Sequence, residues 1–479
     1  MSKLAFLFLI PVIISITGLI PQSARWLPKF SAILMIFQLP LVFGICSPVF
    51  SGVEVGSGDF VMDGIGAAFT IITTIIAAAA LIQGSMTLPA ERLADEHKMS
   101  DRHFCLFYTL AGLFICTMYA VPLTKHLGYM WILIEGTTLL SAPLIDYHRS
   151  KSSLEATWKY LILCSVGIAF ALFGTLLIFA SQHNTGAANS LVISQMLENA
   201  KNMDPRLLRL GFVFCLLGYG TKSGIFPLHN WLPDAHSEAP SAVSALLSGA
   251  LLNCALVAVW RLSQLVTAAG QGEIVRQLLI PAGGITVIAA SLMLISQHDL
   301  KRMLAYSSVE HTGLLTIAIG IGSGQLFMLH AFNHSIVKAA LFLMAGNLLY
   351  TNGTKTINKL SGLLKSKPVW GILLAAAAFA IAGSPPFGTF ISEWLLLKNI
   401  FSAGETFAAL CVLIGLTITF IAISTHTGRV IFGKAQEPKR SAPVLKWAFV
   451  PMILIIVSFI AGISVNPSVM NLLTYLAKR

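Results

Sequence analysis

Charge of either sign is scarce here: Asp, Glu, Lys and Arg together make up 11% of 479 residues. A water-soluble domain carries about 25%, so this chain cannot cover a globular surface with charge, and a soluble fold is excluded. No arm or stripe of basic residues exists either. The net charge is +11, but the basic residues are scattered among short loops, and a nucleic-acid footprint needs them clustered. Nucleic acid is therefore not an expected partner. The seven cysteines (Cys46, Cys105, Cys116, Cys164, Cys215, Cys254 and Cys411) form no C-x-x-C pair. That leaves no iron–sulfur or zinc motif, and they read as packing thiols. Flavin, haem and quinone motifs are missing too, so no cofactor is expected and the chain alone does not carry out redox catalysis. No small-residue cleavage site follows the apolar stretch Met1–Ile20, which reads as an uncleaved first helix and not a signal peptide. The longest polar stretches, Pro89–Arg102, Ser181–Arg206 and Gly433–Lys446, are too short to be soluble domains.

What the sequence has is apolar runs from end to end, with 56% hydrophobic residues and a mean hydropathy of +0.80. The bilayer is the solvent. With ~20 residues per crossing, the runs predict an all-α integral membrane fold of about fourteen transmembrane helices. The first seven are Leu4–Ile20, Phe30–Phe50, Ile65–Leu88, His103–Val121, Leu127–Ile145, Leu154–Ala180 and Leu207–Leu228. The others are Ala242–Leu262, Leu278–Ser296, Met303–Ile321, Gln325–Leu349, Val369–Leu397, Phe407–Phe432 and Ala448–Leu472. Of 31 Lys and Arg, about 19 fall in the odd-numbered loops and about 10 in the even loops and termini, the bias of cytoplasmic loops. Both termini are then expected on the non-cytoplasmic side.

Ionisable side chains inside such runs cost several kcal/mol and mark function. The set is Glu135, Lys222, Glu310, His311, His330, His334, Lys338 and Glu393. Lys222 stands in Gly218-Tyr219-Gly220-Thr221-Lys222-Ser223-Gly224-Ile225-Phe226-Pro227, where glycines and a proline interrupt the helix at mid-membrane. Irregular backbone at that depth requires a polar cavity, and a desolvated lysine can release and recover a proton. Glu393 stands beside a second interruption, Ala382-Gly383-Ser384-Pro385-Pro386-Phe387-Gly388. Two discontinuous helices five spans apart have opposite orientation and point to an inverted-repeat transporter. His330, His334 and Lys338 recur every four residues on one helical face, ~6 Å apart along the axis, a ladder suited to carrying protons. Zinc at the histidine pair is disfavoured by the neighbouring ammonium, and haem by the shared face. Static ion pairs or packing hydrogen bonds are the plainer alternative for each. The turn His229–Pro240 reads mainly as a helix cap at the membrane surface, with His236 and Glu238 as candidate inlet groups. Glu310 and His311, adjacent and so on different faces, suggest a polar patch linking two halves.

Several stretches carry a family resemblance. Gly218–Asn253, with Thr-Lys-Ser-Gly and then Trp-Leu-Pro-Asp-Ala-His-Ser-Glu-Ala-Pro-Ser, resembles the antiporter-like subunits of respiratory complex I, Mrp cation/proton antiporters and membrane-bound hydrogenases. Ser296–Ser308, His330–Gly346 and Ser384–Glu393 resemble the same family. Ser153–Tyr160 and Ser308–His311 are most similar to component F of hydrogenase 4. The resemblance implies two inverted five-helix repeats, residues 103–266 (helices four to eight) and 267–433 (nine to thirteen). Residues 1–102 would form three N-terminal helices and 434–479 the last. It implies Glu135 as a coupling carboxylate paired with Lys222, a central relay of His330, His334 and Lys338, and Glu393 at the exit side. Several relatives place a lysine or histidine on the eighth helix where this chain has Asn253, which orients water but holds no proton.

The expected function is a proton-translocating subunit of a hydrogenase-type or complex I-type assembly in a prokaryotic plasma (inner) membrane. Its partners would be other membrane subunits, antiporter-like paralogues among them, a redox arm and the lipid bilayer. A charge change near Glu135 would open or close the pair with Lys222 and send a proton toward Glu393. The alternatives are a subunit of a cation/proton antiporter or other ion-driven transporter without a redox arm, and a structural membrane anchor.

Overall fold

A chain this apolar, placed where no water satisfies its backbone, must close its hydrogen bonds within helices, and it does. The computed structural model describes residues 3–94, 99–183, 189–434 and 439–477. Parts of the three long polar stretches (95–98, 184–188 and 435–438) lie outside the described residues. The N-terminal group is α1 (Ala5–Gly18), α2 (Leu27–Phe50) and α3 (Gly64–Ala94), with a small hairpin of β1 (Val55–Ser57) and β2 (Phe60–Met62) before α3. Next come α4 (Asp101–Leu123), α5 (Leu127–Ile145), α6 (Lys151–Ala180), the short α7 (Ile193–Glu198), α8 (Pro205–Ser223), α9 (Trp231–Glu238), α10 (Ser241–Leu246) and α11 (Leu252–Val266). They are followed by α12 (Gly272–Ile295), α13 (Leu300–Gly320), α14 (Gly324–Asn352), the short α15 (Leu363–Ser366), α16 (Pro368–Ile381), α17 (Gly388–Ser402) and α18 (Thr406–Phe432). The chain closes with α19 (Val444–Ser464) and α20 (Pro467–Ala477).

Local chemistry fixes where helices begin. Ser100, Asp204 and Asp299 cap α4, α8 and α13 by accepting backbone N–H bonds from the first turn, each satisfying donors a helix leaves orphaned. Ser150 and Ser153 form a capping box on α6.

Each of the fourteen expected segments contains helix. Among the described residues, nine helical stretches are long and apolar enough to cross a membrane, or ten if a pair bent by 119° before α16 counts as one. Both expected interruptions are present. The chain leaves α8 through Gly224 (φ 81°) and passes Gly383 (φ 67°) after α16, a left-handed backbone that glycine adopts without strain. Two features were not expected. A π-helical turn, Leu247–Leu251, joins α10 to α11, and helix runs on from Ser241 to Ile295, kinked at Gly270.

Burial separates centre from rim. The apolar window of α14 is 94% buried, against 33% for α2 and 39% for α6 and α19. Leu154, Trp158, Ile162 and Phe170 of α6 and Phe449, Ile453 and Ile460 of α19 face outward, as lipid-facing residues do. Apolar side chains face outward while ionisable ones lie inside: Lys222, Glu310, His311, His330, His334 and Lys338 are all fully buried.

Two surfaces close the bundle. On the basic face, Asp234 of α9 pairs with Lys159 of α6 (3.2 Å) and Arg302 of α13, while Glu238 pairs with Lys355 (2.6 Å) and accepts from Ser152 of α6 (2.9 Å). Half-burial works to raise the Glu238 carboxyl, but the Lys355 ammonium and the Ser152 hydroxyl outweigh it, so the group sits below its ordinary value. The clasp is therefore ionised at neutral pH. On the opposite face Asp63, just before α3, is bound by both guanidinium nitrogens of Arg261 at the end of α11 (3.0 and 3.3 Å) and by Lys125. Burial works to raise the Asp63 carboxyl, and the two cations overcome it, holding the group at about 2.

Asp63 therefore contributes stability that is complete above its unfolded value near 4 and lost only as pH falls toward about 2. Asp63→Asn should leave Arg261 buried and half-paired, costing about 3–5 kcal/mol at neutral pH. The measurement is the Tm of the detergent-solubilised chain, and an unchanged Tm would rule the ion cluster out as a structural tie.

Candidate functional site

Each of the two broken helices carries one buried charge close to its break. Lys222 occupies the last turn of α8, and a helix C-terminus attracts a cation. Its ammonium donates to Thr138 Oγ1 of α5 (2.8 Å) and to the Tyr160 hydroxyl of α6 (2.6 Å), and lies 4.6 Å from the Tyr160 ring centroid. The Tyr160 hydroxyl in turn meets Ser141 Oγ at 2.6 Å. The lysine thus has neutral hydroxyl partners and no counter-charge in hydrogen-bond range among the described residues.

Glu135 is not that counter-charge. It sits half-buried on α5, in a row with the exposed Ile132 and Leu139. Ser165 of α6 donates to its Oε1 (2.8 Å), and its Oε2 has no partner among the described residues. The structure brings Glu135 and Lys222 onto neighbouring helices without an ion pair, because Thr138, one turn further along α5, takes the ammonium.

Glu393 occupies the second turn of α17, buried and beyond the first turn where a helix N-terminus would favour a carboxylate. Its carboxylate folds against Gly383, where an added Cβ would overlap it. Asn333 of α14 holds the start of α17 by donating to the Gly388 carbonyl (2.8 Å).

Between these ends lies the histidine ladder, and its connectivity differs from the expected single face. His311 of α13 inserts against α14, its ring centroid 5.1 Å from both His330 and His334. His311 Nδ1 meets His330 Nε2 at 3.1 Å, and His330 Nδ1 meets Ser392 Oγ at 2.9 Å. His311 Nδ1 is 3.9 Å from Glu393 Oε1 and its Nε2 is 3.8 Å from Glu310 Oε2. Glu310 and His311, expected on different faces, thus come together, because residues 100° apart on α13 both meet the broad surface of α14. Lys338 donates to the Leu304 carbonyl of α13 (2.9 Å). Both Glu310 oxygens, both His334 nitrogens and Glu393 Oε1 are buried with no hydrogen-bond partner among the described residues, the carboxylates reaching His311 only at 3.8 and 3.9 Å. Such atoms are costly unless water reaches them.

The π turn and the first residues of α11 contribute Ser248 and Asn253, neither of which holds a proton for transfer. Ser248 meets Ser308 at 2.8 Å, and Asn253 donates to Ser335 Oγ of α14 (2.9 Å) while its Oδ1 stays unpartnered. π turns recur at functional sites. His236 and Glu238 lie apart from this line toward the basic face, His236 fully buried and stacked on Phe342 of α14. Two groupings result: Lys222 with the hydroxyls of Thr138, Tyr160 and Ser141 on α5, α6 and α8, and Lys338, Glu310, His334, His311, His330 and Glu393 on α13, α14 and α17.

Sequence reading missed Tyr160, Thr138, Ser141, Ser248, Ser308 and Ser392 as partners. The signal existed as hydroxyls recurring every fourth residue on buried helices, Ser308, Thr312 and Thr316 among them. It also missed Lys301, buried at the start of α13 with its ammonium on the Ala239 carbonyl.

These features define an antiporter-like membrane subunit: helices interrupted beside single buried charges and joined by a central polar line. Residues 124–419 match the family described as NADH:quinone oxidoreductase/Mrp antiporter, TM. The chain belongs to that family. It is 40% identical over 355 residues to a hydrogenase-4 component F homolog of Methylacidiphilum infernorum (isolate V4), covering 73% of this chain and 74% of that one. Its fold is shared with a chain of the membrane-bound sulfane sulfur reductase, an archaeal respiratory membrane complex (TM-score 0.87, 22% identity, 100% of this chain and 97% of that one). A chain of the Mrp complex from Dietzia sp. DQ12-45-1b is similar too (TM-score 0.84, 18% identity, 99% and 96%).

Tyr160→Phe removes one of two hydroxyls on the Lys222 ammonium, a loss of about 1–3 kcal/mol. The expected outcome is a lower Tm in wild-type background that largely disappears in Lys222→Met background. Equal effects in both backgrounds would contradict the assigned contact.

Proposed function

We propose that this chain translocates protons as one membrane subunit of a redox-driven complex of the hydrogenase or complex I type, along the line from Glu135 to Glu393. The observation that carries this reading is the run of buried ionisable groups with unpartnered atoms, reaching from one broken helix to the other inside an apolar bundle. A static core would neutralise or pair these groups, because an unsatisfied buried carboxylate or imidazole destabilises the fold. A conduction path instead needs open valences along it.

A fourteen-span reading with two inverted five-helix repeats fits the helices. The 55-residue stretch Ser241–Ile295 is about 80 Å long at 1.5 Å per residue, enough for two crossings. The charges of α8 and α13 and the break between α16 and α17 keep those helices below the apolarity of a plain span. The basic face, carrying Arg149, Lys159, Arg302 and Lys355, would be cytoplasmic, in the plasma membrane of a prokaryote.

In this mechanism Lys222 is the switching group. Two neutral hydroxyls satisfy its ammonium without fixing its charge, so a charge arriving or leaving at Glu135 changes how tightly it holds its proton. Glu135 is half-exposed in an apolar row, where a neighbouring subunit would reach it. Asn253, Ser335, Ser248 and Ser308 orient water across the middle, and the histidines deliver charge to Glu393. Electron chemistry would belong to a partner arm.

Lys222→Met and Lys338→Met in the assembled complex should each cut substrate-driven proton uptake into everted vesicles by roughly tenfold or more, the scale expected for a positioned proton-transfer group. Uptake at the wild-type rate in both variants would reject this reading. Uptake that requires sodium and persists without an electron donor would favour a cation/proton antiporter.

A further inference from the structure

A cavity of ≈ 660 Å³ opens on the basic face, lined by Glu91 of α3, Glu238, Lys301, Lys355 and Arg440 together with the α9–α10 joint. Its charges are not all spent on one another. Lys355 is taken by Glu238 and Asp299, whereas Glu91 Oε2 is buried with no hydrogen-bond partner among the described residues, Lys301 and Arg440 acting on the carboxyl only at longer range. Lys301, 1% exposed, ties the cavity wall to α13 through the Ala239 carbonyl. Three residues before Ala239 stands His236, 0% exposed, with neither ring nitrogen bonded among the described residues. Its ring lies parallel to Phe342 (centroids 4.6 Å apart, 13° between planes). Phe342 is one helical turn from Lys338 on α14, on the side nearer the basic face. His236 is within electrostatic reach of Lys301 and Lys338, and His334 within reach of His236. The Ser244 hydroxyl fixes the backbone by donating to the His236 carbonyl (3.1 Å). A histidine kept merely for packing would bond at least one nitrogen; this one is held by its backbone and its flat face, leaving both nitrogens open.

Resting on the proton-translocating reading above, we infer that this cavity is a proton-loading vestibule and that His236 passes protons from it to Lys338. A proton entering from the bulk passes along cavity water and then behind Ser237 and Ala239, which line the cavity, to one ring nitrogen of His236. The other nitrogen gives up its own proton to the free amine of Lys338, directly or through water, and the water that relays the proton is reprotonated from the bulk. Return of the ring to its starting tautomer completes the cycle with no net change in His236. Glu91 at the rim collects protons, and Lys301 repels other cations from the wall. A neutral imidazole serves here because both of its nitrogens take part in proton exchange.

The test uses the assembled complex in everted vesicles, the basic face outward, with inorganic imidazole-free buffer and then added imidazole. His236→Phe keeps the stack on Phe342 and removes both nitrogens. It should lower proton uptake by roughly tenfold or more, while the complex assembles normally. His236→Ala should be equally slow and should recover saturably with imidazole, whereas His236→Phe, its space filled, should not. Loss without rescue in His236→Ala would overturn the inference and leave His236 a packing residue. If His236→Ala fails to assemble, His236→Phe alone decides. Wild-type uptake in His236→Phe beside lost uptake in Lys338→Met refutes the vestibule while leaving the broader function standing. Wild-type uptake in both refutes the two together.

Discussion

The hydrogen bond between His311 of α13 and His330 of α14, 3.1 Å long, sits where the rest of the bundle has to accommodate it. Two imidazoles, a third 5.1 Å away and two carboxylates share a pocket sealed from lipid by the surrounding helices. In a bilayer such groups are tolerated only when they find partners in protein or water. The central helices therefore cannot face lipid, and α14 is enclosed almost entirely. The apolar helices α1, α2, α6, α18 and α19 form the rim in consequence. The lipid-facing rim is built from ordinary apolar side chains, while the strict constraints concentrate on α13 and α14.

The same constraint explains the broken helices. Ending α8 at Ser223 puts Lys222 in its last turn, where the helix dipole favours a cation, while its ammonium bonds the hydroxyls of Thr138 and Tyr160. An unbroken α16–α17 would deny Glu393 the space over Gly383. Ion clusters at the two surfaces, Asp234 with Lys159 and Arg302 on one side and Asp63 with Arg261 and Lys125 on the other, then hold the interrupted segments in register. The polar line can remain partly unsatisfied because the ends of the bundle are tied.

Much of this was legible in the residues. Long apolar runs dictated helices, and glycine–proline clusters beside single charges located both interruptions. The four-residue spacing of His330, His334 and Lys338 placed them on one face of α14. What sequence could not supply was the partner across the gap. His311 reads as one of an adjacent pair on a separate helix, and only the packing of α13 on α14 inserts it between His330 and His334. The family resemblance implies Glu135 paired with Lys222, but the hydrogen bonds of the ammonium go to Thr138 and Tyr160. The π turn is not specified by composition either: Gly249 in Leu247–Leu251 marks a weak point in the helix but does not say that it winds as a π turn. Asn253 was read as a gap in a chain of titratable groups; its hydrogen bond to Ser335 makes it a bridge from α11 to α14 that carries no charge of its own.

The central claim is that the buried groups act as one continuous line whose joint is His311. The most direct measurement is proton uptake by the assembled complex carrying His311→Leu, an apolar replacement of similar size that removes the link between His330 and His334. The account predicts a complex that assembles and accepts electrons but moves protons at a small fraction of the wild-type rate. Wild-type proton uptake in that variant would contradict it.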